Sequence, residues 1–171
     1  KLILLSESTI PVKPFNYIYD YLIYDTKGFL NYAPHNSENK KTLEIQEERY
    51  KNNANKILEF PEKISKEHWF FHEAWVIFNQ EMMNIISNEK EYIDIFRKCF
   101  CPDENYVTFI LSSLNKLELF HNLKTTYTNW NAEREIDGKR HPLMYDKISN
   151  NRLLKKLINP NFLFARKFTK D

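Results

Sequence analysis

The stretch Cys99-Phe100-Cys101-Pro102-Asp103-Glu104-Asn105-Tyr106, followed by the apolar run Val107 to Leu111, puts two adjacent carboxylates where a loop turns into a helix. Asp103 suits an N-cap, because a short carboxylate can accept a bond from an unpaired backbone N–H of the first turn. Glu104 then falls in that first turn, where the positive end of the helix dipole favours its ionised form. An ionised carboxylate held at a rigid helix start can take a proton from a substrate hydroxyl. Equally, acids in a first turn often do no more than cap and solvate a helix.

Other residues add to the list. Ser6-Glu7-Ser8 follows the apolar run Leu2 to Leu5, and the loop after a strand is where ligands gather in α/β sheets. Glu7 can bond hydroxyls there, or satisfy nearby N–H groups of its own loop. Arg166 and Lys167 could stabilise a departing phosphate, as bidentate donor and point charge, or be ordinary strand-end charges. Trp69, Trp75, Tyr127 and Trp130 offer flat apolar faces, although in a chain with 15% aromatics the core claims most rings. His141 before Pro142 is a lone histidine with no assigned role, and the other histidines show no ligand spacing.

These residues need elements to hold them. Leu2 to Leu5 reads as a short buried strand, and Ser6 to Pro14 as a strand-to-helix loop. Phe15, Ile18, Tyr19 and Leu22 recur at helical spacing to about Tyr24, with Pro14 in the first turn. Residues 26–65 are polar and Asn-rich, and predict long loops around a short helix near Leu43 to Ile57. Trp69 to Phe78 reads as a buried strand, and Asn79 as the cap of a helix to about Lys98. Helix is expected from Asp103 to Leu114 and from Asn150 to Ile158, and strand over 125–130 and 162–168; Asn131 to Tyr145 reads as a loop.

With 171 residues, one domain spanning 1–171 is the default, long enough to bury a real core. A net charge of +2 leaves no large electrostatic footprint for nucleic acid. Two glycines, Gly28 and Gly138, exclude a Gly-rich phosphate loop. No run is long enough to span a membrane, and no signal peptide is visible. Cys99 and Cys101 are too closely spaced to bridge readily, and two ligands make no structural zinc site.

In chain order, Leu5-Ser6-Glu7-Ser8-Thr9-Ile10-Pro11, Glu48-Arg49-Tyr50, Trp69 with Trp75, Asp103-Glu104-Asn105-Tyr106, Trp130, His141-Pro142 and Phe164-Ala165-Arg166-Lys167-Phe168 form a series. It resembles the core-2/I-branching β-1,6-N-acetylglucosaminyltransferase family (glycosyltransferase family 14) across nearly the whole chain. The resemblance implies an α/β, GT-A-like glycosyltransferase fold, a mixed sheet flanked by helices. It implies an inverting, metal-independent transfer of a sugar, N-acetylglucosamine in the family, from a UDP-sugar to a glycan hydroxyl. No Asp-x-Asp metal motif occurs in the chain, and no metal or other cofactor is expected. Carried over residue by residue, Glu104 is the catalytic base and Asp103 the cap that supports it. Lys167 contacts the donor diphosphate, with Arg166 beside it and Lys156, or its neighbour Lys155, as a further cation. Arg49 and Trp130 fall on the acceptor side, with Glu7.

The chain also departs from the family. His72-Glu73 stands where many members carry Gly-Ser, which would narrow a close backbone approach and alter acceptor choice. Asn105 replaces the family histidine of the Asp-Glu-His-Tyr motif. The family's nucleotide-binding first half would precede Lys1, so a partner or a further N-terminal segment is expected to complete the fold. The rival expectation is a non-catalytic glycan-binding or interaction protein that keeps the transferase fold. The family works in the Golgi or secretory lumen; the absence of an N-x-S/T sequon and the few cysteines leave the cytoplasm open.

Overall fold

A computed structural model of the protein describes residues 1–130, 134–136, 139–146 and 151–169. In chain order the elements are β1 (Leu2–Ile3), β2 (Thr9–Pro11), α1 (Phe15–Ile23), β3 (Gly28–Phe29), α2 (Lys40–Lys56), α3 (Phe60–Lys63), β4 (Ile77–Phe78), α4 (Gln80–Asn88), α5 (Ile93–Phe96), α6 (Tyr106–Ser113), β5 (Phe120–His121), β6 (Thr126–Thr128), β7 (Arg134–Ile136), β8 (Lys139–His141), α7 (Asn151–Leu157) and β9 (Phe164–Arg166). They divide into two units, Lys1–Ile3 with Lys27–Asn122, and Leu4–Thr26 with Leu123–Asp171. Among the described residues no helix is long and apolar enough to cross a membrane.

The first unit has a mixed sheet in the order β1-β4-β3-β5, antiparallel except for the parallel β3–β5 pair. Its spine is α6, whose residues Val107 to Ser112 are all buried. A helix apolar on every side belongs inside a core. Phe109 and Ile110 pack with Ile57, Phe60, Ile64, Trp69 and Phe96. Val107 and Leu111 pack with Leu30, Val76, Phe78, Met82 and Phe120.

The helix start differs from the expected one. Pro102–Glu104 forms a separate 3-10 turn, and Asn105, not Asp103, occupies the N-cap position of α6. Asn105 has turned its side chain inward to donate to the Phe70 carbonyl at 2.9 Å, so it caps nothing, and Asp103 is exposed without a capping bond.

The expected strand from Trp69 to Phe78 is also shorter, with only Ile77–Phe78 as a ladder strand and a single bridge at His72. Side chains from elsewhere hold the backbone between. The Phe70 carbonyl accepts from Asn105 and from the Thr108 hydroxyl, each at 2.9 Å, and Phe71 N–H donates to Gln46 Oε1 at 2.9 Å. These bonds satisfy the groups a ladder would have used.

Gln46 lies on α2, whose 17 residues, Lys40–Lys56, agree with the helix expected near Leu43 to Ile57 and begin a little earlier. Its inward face is Gln46, Arg49, Tyr50 and Asn53, at helical spacing but mostly polar. The expected helix from Asn79 breaks into α4 and α5, although Asn79 does cap α4, accepting from Met82 N–H at 2.7 Å.

The second unit is built on β2-β9-β6, with β9 antiparallel to β2 and parallel to β6. Leu153 and Leu157 of α7 pack with Ala165, Phe168 and Tyr145. A hairpin, β7–β8, occupies part of the expected loop 131–145; the sequence signal is Asp137-Gly138, whose own positions lie outside the described residues.

His72 is 0% exposed, in direct contact with the backbone of the 3-10 turn: its backbone N–H donates to the Glu104 carbonyl at 2.8 Å. Burial, with Arg49 adding repulsion, outweighs a favourable bond to the Glu73 carbonyl and holds the imidazole at about 4. Unfolded chain binds this proton below about 6.5, whereas the folded chain refuses it until about 4. The contribution is therefore complete above pH 6.5 and is lost as pH falls toward 4, by up to about 1.4 kcal/mol per pH unit. Urea denaturation at pH 7, 6 and 5 should show that decline in the wild type, and His72→Gln should flatten it between pH 6.5 and 5. An equal decline in both proteins would assign the proton to other groups.

Gly28 on β3 is a close-approach glycine. A Cβ there would stand 2.5 Å from the Ile77 carbonyl oxygen and 2.5 Å from Met82 Sδ, with Met82 itself fully buried. Gly28→Ala should cost about 1–3 kcal/mol by overpacking. Thermal denaturation checks this, and an unchanged midpoint would mean that β3 and β4 separate freely.

Candidate active site

Glu104 closes the 3-10 turn, with its N–H on the Cys101 carbonyl at 3.1 Å. Cys101 enters that turn with a left-handed backbone, φ 48°, a conformation that costs a residue with a Cβ. Arg49 Nη1 donates to Glu104 Oε2 at 2.5 Å, a pairing of side chains 55 residues apart, both largely shielded from water. The guanidinium carbon also stands 5.0 Å from the ring centroid of Phe71 and 5.7 Å from that of Phe100. Two rings and a carboxylate thus fix the Arg49 fork. Glu104 Oε1 takes no hydrogen bond among the described residues, and the carboxylate side chain keeps 28% exposure.

Of the sequence candidates, then, Glu104 and Arg49 meet directly, and Asp103 sits beside them on the surface. Phe71 and Phe100, which complete this cluster, were missed by the sequence reading. Phe71 falls in the irregular segment read as strand, and Phe100 in the motif read for its carboxylates alone.

The remaining candidates belong to the second unit. Arg166 ends β9, in register with Thr9 of β2 and Thr128 of β6. Lys167 follows; its carbonyl accepts from Tyr145 N–H at 2.8 Å. The next residue, Phe168, donates its N–H to the Ser8 carbonyl at 2.9 Å, which ties the end of β9 to the Ser6-Glu7-Ser8 loop. That loop is itself braced by Ser6 Oγ, 2.8 Å from Thr9 Oγ1 and 3.1 Å from Ser8 Oγ, while Glu7 is exposed. Lys155 and Lys156 are both exposed on α7. Trp130 keeps 44% of its surface exposed just beyond β6.

Cys99 is buried, its thiol pushed up to about 11 by desolvation, and neither cysteine is in a disulfide. Among the described residues no group of three or more His, Cys, Asp or Glu side chains could hold a metal ion. An open cavity of about 400 Å³ in the first unit is lined by Glu67, His68, Ser112, Asn115, Leu117 and Glu118, and holds none of the candidate residues.

No curated protein and no solved structure gives a significant match to this chain. A family model, that of the core-2/I-branching enzymes, matches residues 1–158. The match takes in Glu7, Arg49, Asp103, Glu104, Trp130 and Lys156 and ends before Arg166 and Lys167. It covers most of the 171 residues, and the chain belongs to the core-2/I-branching enzyme family.

Proposed function

We propose that the protein is an inverting, metal-independent glycosyltransferase of GT-A type that moves N-acetylglucosamine from its UDP donor to a hydroxyl of a glycan. The observation that carries this reading is the Glu104 carboxylate, oriented through Oε2 by Arg49 and open at Oε1. Family membership supports glycosyl transfer in general.

In this reading Glu104 Oε1 takes the proton of the acceptor hydroxyl. The oxygen then attacks the anomeric carbon from the face opposite the UDP oxygen. The bond to UDP breaks as the new glycosidic bond forms, so configuration inverts. Both bonds are partial at the transition state, which has oxocarbenium character, as in glycoside hydrolysis. The negative charge that grows on the diphosphate calls for cations. Lys167, Arg166 and Lys156 take that role, with Lys167 foremost. Arg49 positions the base, while Glu7 and Trp130 contact the acceptor. A Golgi or secretory lumen, where glycan acceptors pass, fits this activity.

The first test is ligand-observed NMR of UDP and UDP-N-acetylglucosamine in EDTA, with wild type and Lys167→Ala. Binding without metal that Lys167→Ala abolishes supports the donor site. Transfer to a glycan acceptor should then fall about 10²- to 10⁴-fold in Glu104→Gln, which keeps the shape and removes the base. No UDP binding by the folded protein would rule out catalysis by this chain alone and favour a glycan-binding protein.

A further inference from the structure

Phe100 is a large apolar side chain left 66% exposed, a placement that forgoes hydrophobic stabilisation. Its backbone is nonetheless firmly held. The Phe100 N–H donates at 3.1 Å to Oδ1 of Asn53, a side chain buried on the inner face of α2. The turn that follows is fixed by the left-handed Cys101. Part of the ring covers the Arg49 guanidinium, which in turn reaches Glu104. An exposed flat ring therefore stands one guanidinium away from a carboxylate with an open oxygen.

This pairing matches one ligand chemistry. A pyranose presents a C–H face that packs on an aromatic ring, and hydroxyls at its rim that donate to a carboxylate. The Arg49 charge beneath the ring disfavours a second cation above it, which selects neutral sugars over amino sugars carrying a free ammonium.

We propose that Phe100 is a recognition platform for the acceptor sugar, a specificity-determining residue that stacks on the sugar's C–H face beside the Arg49–Glu104 pair. The reaction of that sugar rests on the transferase reading; the stacking does not.

Saturation-transfer NMR without any donor tests the platform directly, with methyl β-galactopyranoside, methyl β-N-acetylglucosaminide and methyl β-glucosaminide as probes. Wild type should bind the two neutral glycosides, with the strongest transfer at the protons of one sugar face, and bind the ammonium sugar less. Phe100→Ala should weaken neutral-sugar binding about threefold to tenfold. Phe100→Tyr should retain it. Thermal midpoints of both variants should match wild type, since the ring is exposed, and a folded Phe100→Ala with undiminished binding overturns the proposal. So does absence of binding to all three sugars by the wild type. Phe100-dependent binding without transfer from any UDP-sugar would sink the transferase reading and leave the platform standing. Transfer with an unchanged acceptor KM in Phe100→Ala would do the reverse.

Discussion

The first unit depends on the burial of α6 and on the two side chains it spends on one carbonyl. Asn105 and Thr108 both donate to Phe70, at the end of the helix where apolar residues give way to polar ones. That clasp fixes the irregular segment 69–73 against the helix start. Gln46 reaches the same segment from α2 and Asn53 reaches Phe100. Arg49, on the same face of α2, is thereby aimed at Glu104. Each buried bond favours this arrangement, because breaking it leaves a desolvated group unpaired, and it does so even though Asn105 Oδ1 and Asn53 Nδ2 find no partner of their own among the described residues. The apolar core supplies cohesion, and these polar ties set the position of the carboxylate.

The residues singled out as candidates are distributed over both units. The first carries Glu104, Arg49 and the two phenylalanines that hold the guanidinium. The second carries the cations proposed for the donor, on β9, on α7 and just beyond β9. There β9 is the central strand, joined to β2 on one side and β6 on the other, so a single strand end gathers Arg166, Lys167 and the Ser-Glu-Ser loop. The family match includes all of the first unit's cluster and stops short of that strand.

Elements specified by local signals were legible in the sequence. The apolar spacing of Phe15, Ile18, Tyr19 and Leu22 marks α1, the Asn79 cap marks the start of α4, and Leu153 with Leu157 marks α7. Elements specified at a distance were not. Asn105 reads as an ordinary first-turn residue until the Phe70 carbonyl is beside it. The run from Trp69 to Phe78 is apolar enough for a strand, but its backbone bonds go to side chains of α2 and α6. The helix α2 itself was expected, but the partners of its polar inner face were not, since Gln46 and Asn53 meet them far along the chain. In the candidate site, the resemblance singled out both Arg49 and Glu104, whereas nothing local to either reveals that they pair. The contact of Phe100 with Arg49 was not legible, because an exposed ring has no sequence signature.

A backbone clasped by other elements does not depend on a sheet neighbour for its course. Segment 69–73 exchanges bonds with Gln46, Asn105, Thr108, Asn31 and Glu104, and the His72 ring adds one to the Glu73 carbonyl. Trp69, Phe70 and His72 are buried and Phe71 faces the Arg49 guanidinium, so the side chains of this stretch join the core to the Arg49–Glu104 pair. One short stretch of irregular backbone thus stands between the apolar core and the ion pair. A single substitution there can be felt at the Glu104 carboxylate without altering either partner of that pair.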